Sequence, residues 1–291
     1  METIGSQSLW SYVDGSPEAT IISNTKIRAG IGHAVKNYYD LAEKIAELQF
    51  RNRDYVLLFR GQAKDHRNNK RNTSLKPTLF RAQESGNPEI ATLKYRFKRL
   101  QAAEEHLIDL YEREKLSGIE RLRRYRLLRW SILQHYEVCS TPLLDVTQSL
   151  RIAASFASMN PSSNEVFLFA LGVPNVSGAI TASSEAGLQI VRLASACPPS
   201  AIRPHLQEGY LLGEYPEIPN FDQNSFYRPY EIDFGLRLIA KFRFNPETFW
   251  SSPNFPQVTH NALYPVESRD KLSRLTQKIK NDLAAQVPDE P

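Results

Sequence analysis

The segment from Glu165 to Val173 carries the longest apolar run in the chain, Val166-Phe167-Leu168-Phe169-Ala170-Leu171, with Pro161 shortly before it. A short apolar run rich in aromatic and branched side chains, bounded by turn residues, reads as a buried strand. It is far shorter than the ~20 residues needed to span a bilayer. The chain is therefore expected to build a sheet into its core, and no membrane span is expected. Composition agrees: 41% of residues are hydrophobic and 23% charged, which excludes a disordered, collagen-like or coiled-coil chain. Large side chains for a core are plentiful, with 14 Phe, 13 Tyr and 3 Trp. A length of 291 residues admits one large domain or two small ones.

Periodicity places the remaining elements. Ile31 to Phe50 reads as a helix whose apolar face is Ile31, Val35, Tyr38, Leu41, Ala42, Ile45 and Leu48. Tyr55 to Phe59 reads as a buried strand ending at Arg60-Gly61-Gln62, followed by a polar, basic loop from Ala63 to Lys76. Helical patterns run from Glu89 to Leu116 and from Ile119 to Gln134, punctuated by Gly118. Leu143-Leu144-Asp145 leads into a helix from Leu150 to Met159, with Asp145 or Thr147 as its cap. Leu238 to Phe244 alternates as a late strand, and Ser268 to Ala285 is an amphipathic helix with Leu272, Leu275, Ile279 and Leu283 inward. No repeat and no linker composition appears. The expected architecture is one α+β domain over residues 30–250, with an N-terminal extension (1–29) and a C-terminal helical extension (251–291).

Charge and cysteine content narrow the setting. The formal net charge is +4, too small by itself to argue for nucleic acid. Cys139 and Cys197 sit in no metal-ligand spacing, so no metal site is expected. Sparse cysteine and an N-terminus without an apolar signal core fit a cytoplasmic location.

Three segments carry residue types suited to chemistry. In Phe59-Arg60-Gly61-Gln62, an arginine at a strand end offers a planar fork of donors that matches phosphate or carboxylate. Gly61 lets the backbone turn sharply or approach a ligand. Gln134-His135-Tyr136, with Thr141 to Ser149, sets a histidine, a carboxylate and hydroxyls at a strand-to-helix turn. His135 reads either as an acid–base group or as a helix-end histidine bonded to Asp145. In the third segment, Arg203, His205 and Gln207 share one face if the chain is extended, with Glu208 on the other. A bulge there could re-aim Glu208.

Together these motifs resemble the FRG-domain family, named for Phe-Arg-Gly. The resemblance rests on Phe59-Arg60-Gly61-Gln62, Gln134-His135-Tyr136, Leu143-Leu144-Asp145-x-Thr147, Ala153-x-x-Phe156-Ala157, Arg203 and Gln207-x-Gly209-Tyr210. Glu137, Pro142 and Val146 depart from the glycine, arginine and tryptophan common at those positions in the family. FRG domains are in turn similar, more distantly, to ADP-ribosyltransferases. That similarity implies a small mixed or antiparallel sheet with flanking helices. It implies NAD or another nucleotide as ligand, without a metal, and transfer of ADP-ribose to a macromolecular acceptor or hydrolysis of NAD. A role in bacterial defence, as a toxin or in phage conflict follows from the same resemblance.

The resemblance implies catalytic roles among Arg60, His135, Asp145, Gln207 and Glu208, and cofactor contacts from Arg60, Gly61, Gln62, Thr147, Ser149 and Arg203. Gln207, a neutral residue, stands where a carboxylate would stabilise the oxocarbenium-like ribose. The alternative reading is a non-catalytic nucleotide or nucleic-acid binding module using Arg60 and the basic run Arg121, Arg123, Arg124 and Arg126. The bland reading of that run is a solvated face paired with Glu112, Glu114 and Glu120. The basic run and the loop after Arg60 are both expected to flank the cleft as a positive rim.

Overall fold

A computed structural model describes residue 4, residues 8–82 and residues 86–286. The outermost parts of the two expected extensions, residues 1–3, 5–7 and 287–291, lie outside the described residues. The chain opens with a small hairpin, β1 (Leu9–Ser11) and β2 (Thr20–Ile22), then α1 (Asn24–Ala29), β3 (His33–Ala34), α2 (Tyr38–Arg51) and β4 (Val56–Gln62). Three helices follow, α3 (Ile90–Arg113), α4 (Ile119–Arg124) and α5 (Arg126–His135), and then β5 (Leu144–Thr147), α6 (Leu150–Ser158) and β6 (Val166–Val173). The rest comprises β7 (Ile180–Ser183), β8 (Leu188–Arg192), α7 (Leu193–Ala196), α8 (Arg203–Leu206), β9 (Gly209–Glu214), α9 (Phe221–Asn224) and β10 (Leu238–Phe244). It closes with α10 (Pro246–Phe249), α11 (His260–Leu263) and α12 (Lys271–Gln286).

The fold is α+β. Eight strands form one mixed sheet in the order β3-β10-β6-β4-β5-β9-β8-β7, antiparallel throughout except for the parallel β3–β10 pair. The apolar run of β6 lies inside it, between β4 and β10. β4 and β6 pair continuously from Val56↔Val173 to Gln62↔Phe167. β4 and β5 pair only at Phe59↔Thr147. The two halves of the sheet are thus joined at one rung, and beyond it β4 follows β6 while β5 follows β9. That divergence opens the space in which the candidate site lies.

Alternation across β5, β8 and β9 feeds two cores, one on each face. Leu144, Val146, Ile190 and Leu212 join α1, α2 and α6 in the first. Leu143, Val191 and Leu211 join α3, α5 and α12 in the second. Leu272, Leu275, Ile279 and Leu283 of α12 are all buried there, the face expected from their spacing. Among the described residues no helix is long and apolar enough to cross a membrane.

Several expectations are corrected. The helix expected from Ile31 begins only at Tyr38. Gly32 takes φ +96°, His33–Ala34 is drawn into parallel pairing with Phe242–Arg243, and the Asn37 side chain caps the helix by accepting from the Asp40 N–H at 3.0 Å. The strand expected to end at Arg60-Gly61-Gln62 does run to Gln62, with β6 supplying ladder partners up to Phe167. The helix expected from Ile119 to Gln134 breaks at Tyr125. There the buried Arg129 donates to the carbonyls of Leu122 (2.7 Å) and Arg123 (2.9 Å) while pairing with Glu104 at 2.9 Å. Neither Asp145 nor Thr147 caps α6; Ser149 holds that position without a side-chain bond. The segment from Arg203 is not extended but forms a single helical turn. Asp270, fully buried, holds the start of that turn by accepting the N–H groups of Ile202 (3.0 Å) and Arg203 (2.8 Å).

Candidate functional site

The divergence of β4 and β5 leaves a cavity of about 540 Å³ whose walls include Arg60, Gln62, His135, Asp145, Thr147 and Gln207. Arg60 extends from β4 across the gap, and its Nη1 donates to the backbone carbonyl of Asp145 at 2.6 Å. Its Nε and the Oε1 of Gln62 are buried without a hydrogen-bond partner. Burial pulls the Arg60 pKa down from its ordinary value, with the Asp145 carboxylate acting in the opposite direction. A half-buried cation whose Nε is shut off from solvent, and whose one hydrogen bond among the described residues goes to a carbonyl, is poised for an anion.

Gly61 serves a different purpose from the expected close approach to a ligand. A Cβ on Gly61 would lie 1.8 Å from the Ala153 carbonyl oxygen and 2.8 Å from the Ala157 nitrogen. The glycine lets α6 settle onto β4, and Ala153 and Ala157 are its small counterparts. Gly61 and Ala153 also line the cavity, so this packing contact forms part of its wall.

Asp145 is held by two neighbours from the end of α5. Gln134 Nε2 donates to its Oδ2 at 2.7 Å, and His135 Nδ1 lies 3.6 Å from its Oδ1. The Gln134 amide is itself fixed, since its Oε1 accepts from the hydroxyls of Thr141 (2.6 Å) and Thr78 (3.3 Å). Burial alone would raise the Asp145 pKa; contact with His135, the charge of Arg60 and the Gln134 bond outweigh it and hold the group below the usual carboxylate range. Burial lowers the His135 pKa and the charge of Arg203 adds to that, against the pull of Asp145. The imidazole is therefore neutral near pH 7, and its Nε2 is buried without a partner.

The remaining expected residues divide. Arg203 lines the cleft, paired with Glu137 at 2.6 Å and stacked over Tyr264 at 4.4 Å, with its Nε buried and unpartnered. Glu137 also lines the cleft, in the left-handed region at φ +57°. The Thr147 hydroxyl donates to the Gln207 carbonyl at 2.8 Å and accepts the Ser149 N–H at 3.0 Å, so it ties the end of β5 to the turn before β9. Gln207 turns its amide to the Leu263 carbonyl at 2.9 Å. Ser149 and Glu208 do not line the cavity, and Glu208 occupies a turn at φ +44°.

The basic run is elsewhere. Arg123 pairs with Glu112 (2.8 Å) and Glu120 (3.2 Å), and Arg126 lies 3.4 Å from Glu104. None of Arg121, Arg123, Arg124 and Arg126 lines the cavity, so the positive rim comes from the loop after β4 and not from these helices. Sequence reading missed Lys64, His66, Ser162 and Tyr264 as cavity residues. The basic character of the loop pointed to the first two. Tyr264 carried no signal; it reaches the cleft through α11, stacked on His260 at 4.5 Å and edge-on to Phe156 at 6.2 Å. Among the described residues no group of three or more His, Cys, Asp or Glu could hold a metal ion.

No curated protein and no solved structure matches the chain. Residues 56–165 match the family model of the FRG domain, a stretch that begins with β4, ends just before β6, and holds Arg60, Gly61, His135 and Asp145. With that match, and with its Phe59-Arg60-Gly61 triplet forming one wall of the cleft, the chain is an FRG domain-containing protein.

Proposed function

We propose that the cleft binds NAD or a related nucleotide and works as an ADP-ribosyltransferase-like or NAD glycohydrolase site. The observation that carries this reading is the set of buried, unpartnered polar atoms on cleft residues: Arg60 Nε, Gln62 Oε1, His135 Nε2 and Arg203 Nε. Buried polar groups in a folded protein nearly always find partners, and orphans gathered at one cavity await a ligand. The rings of Phe156 and Tyr264 add apolar wall for a planar base or nicotinamide.

In this reading Arg60 holds phosphate oxygens. The bond between the ribose C1′ and the nicotinamide nitrogen breaks, and its electron pair leaves with nicotinamide. The ionised Asp145 carboxylate stabilises the positive charge left on the ribose. An acceptor hydroxyl or water then forms the new C1′–O bond and gives its proton to the neutral His135 at Nε2. Gln207 has no part in charge stabilisation, because its amide is committed to Leu263.

A second reading, nucleotide binding without turnover, is favoured by that same Gln207 and by a cavity lining that does not include Glu208. Incubation with labelled NAD and a cell lysate, with nicotinamide release and calorimetry measured in parallel, tests both. Label transfer or nicotinamide release is expected from the first reading. Calorimetric binding alone selects the second. No transfer, no release and no binding refute both.

A further inference from the structure

Arg60 is one of several cations near the same part of the cleft. Lys64 and His66, from the loop after β4, line the same cavity. Lys64 also stands on the shared rim of a neighbouring cavity of about 410 Å³, with Ala63 and Ser162. Arg81 does not line the cavity; its Nε donates to the Lys76 carbonyl at 2.8 Å, and its charge acts on the cleft from outside the wall. Burial, then the charge of Arg60, push its pKa down to about 10. Partial burial and the charges of Arg81, Lys64 and Arg60 hold His66 low, against Asp65.

Among the described residues, two carboxylates beside these groups are already paired: Glu137 with Arg203 at 2.6 Å, and Asp65 with Lys241 and Arg67. Asp65 is taken by the buried Lys241 at 2.8 Å, by Arg67 at 2.9 Å and by the Thr73 hydroxyl at 2.8 Å. Asp145 is bonded to Gln134 and faces His135, both neutral, so its single negative charge is left to face the cations. Arg60 and Arg81 donate to backbone carbonyls, and Lys64 makes no salt bridge among the described residues. Against that one carboxylate stand the half-buried Arg60 and Arg81 and the exposed Lys64, an excess of positive charge that a further anion would relieve.

We propose that Arg60, Lys64 and His66 form a diphosphate subsite, with Arg81 adding its charge from outside the wall, which rests on the nucleotide reading above and fixes the phosphate end of the ligand on the loop after β4. A diphosphate suits this set better than a single carboxylate. It carries two or more negative charges, and its oxygens can accept from a guanidinium fork and an ammonium together. Lys64 thereby becomes a binding residue that the FRG triplet does not reveal, and Arg81 a supporting charge.

Calorimetry with ADP-ribose, inorganic pyrophosphate and adenosine, on the full chain and on Lys64→Gln and Arg81→Gln, tests this. Lys64 is exposed and supports nothing else in the fold, so Lys64→Gln decides the matter even where Arg81→Gln unfolds. Each variant is expected to weaken ADP-ribose and pyrophosphate about tenfold and to leave adenosine unchanged. ADP-ribose binding that stays within about twofold of wild type in Lys64→Gln overturns the subsite and leaves the nucleotide reading standing. Pyrophosphate binding that weakens in the variants, with no binding of ADP-ribose, upholds the subsite and refutes the nucleotide reading. Absence of binding by either phosphate ligand refutes both.

Discussion

Gly61 and Ala153 meet so closely that a single methyl group cannot stand between them: a Cβ on Gly61 would lie 1.8 Å from the Ala153 carbonyl oxygen. The obstacle is backbone on a packed helix, which cannot swing aside as a flexible side chain could. Gly61→Ala is expected to destabilise the fold by about 3 kcal/mol or more, read as a lowered denaturant midpoint. Gly30 is the control. Its φ is −61° and its nearest neighbour to a Cβ is 3.4 Å away, so Gly30→Ala should change stability by less than about 1 kcal/mol.

Arg60 joins binding to instability. It is half-buried with its Nε shut off from solvent, and its one hydrogen bond among the described residues goes to the Asp145 carbonyl. Arg60→Met removes the buried charge while keeping an apolar stem. Its thermal midpoint is expected to equal or exceed that of wild type, while binding of ADP-ribose by calorimetry is lost. A fall in stability with binding retained would show that Arg60 is a structural residue.

The His135–Asp145 pair gives the acid side of the stability profile its slope. Both native pKa values lie below their ordinary values of 6.5 and 3.8, so the unfolded chain takes up these protons first as pH falls. Their contribution is complete above pH 6.5, declines as His135 is called on to charge, and declines again through the carboxylate range. Chemical denaturation from pH 7.5 to 4 should show this decline. His135→Gln should flatten its upper part by up to about 1.4 kcal/mol per pH unit.

Glu214 acts with the opposite sign. Burial pushes its carboxyl up from 4.5 to about 7, so the native state keeps a proton that the unfolded state has released. Its effect is favourable at low pH and is lost as pH rises from 4.5 through 7. Glu214→Gln should therefore gain about 2 kcal/mol over wild type at pH 8 and nothing at pH 4, measured by denaturant titration at each pH.

Local pattern was enough for elements whose partners matter little to their form. The apolar run of β6, the alternation in β10, and the spacing of Leu272, Leu275, Ile279 and Leu283 in α12 each state their own periodicity and burial. The motif order from Arg60 to Gln207 likewise pointed to one cleft, because those residues share a cavity wall. Side-chain purpose was less legible. Gly61 is a glycine because of a helix more than ninety residues later in the chain, and Thr147 spends its hydroxyl on a carbonyl sixty residues away.

The sequence alone determined that this chain builds an α+β core around β6 and that it bears the FRG motifs, since hydrophobic periodicity and short motifs are properties of neighbouring residues. Only the tertiary structure decided where β5 parts from β4, that the Arg203 segment coils, and that Tyr264 reaches the cleft while the arginines of α4 and α5 do not. Ladder partners, ion-pair competition and desolvation depend on residues distant in sequence. The single rung between Phe59 and Thr147, which opens the cleft, exists only when β5 and β6 take their places on either side of β4.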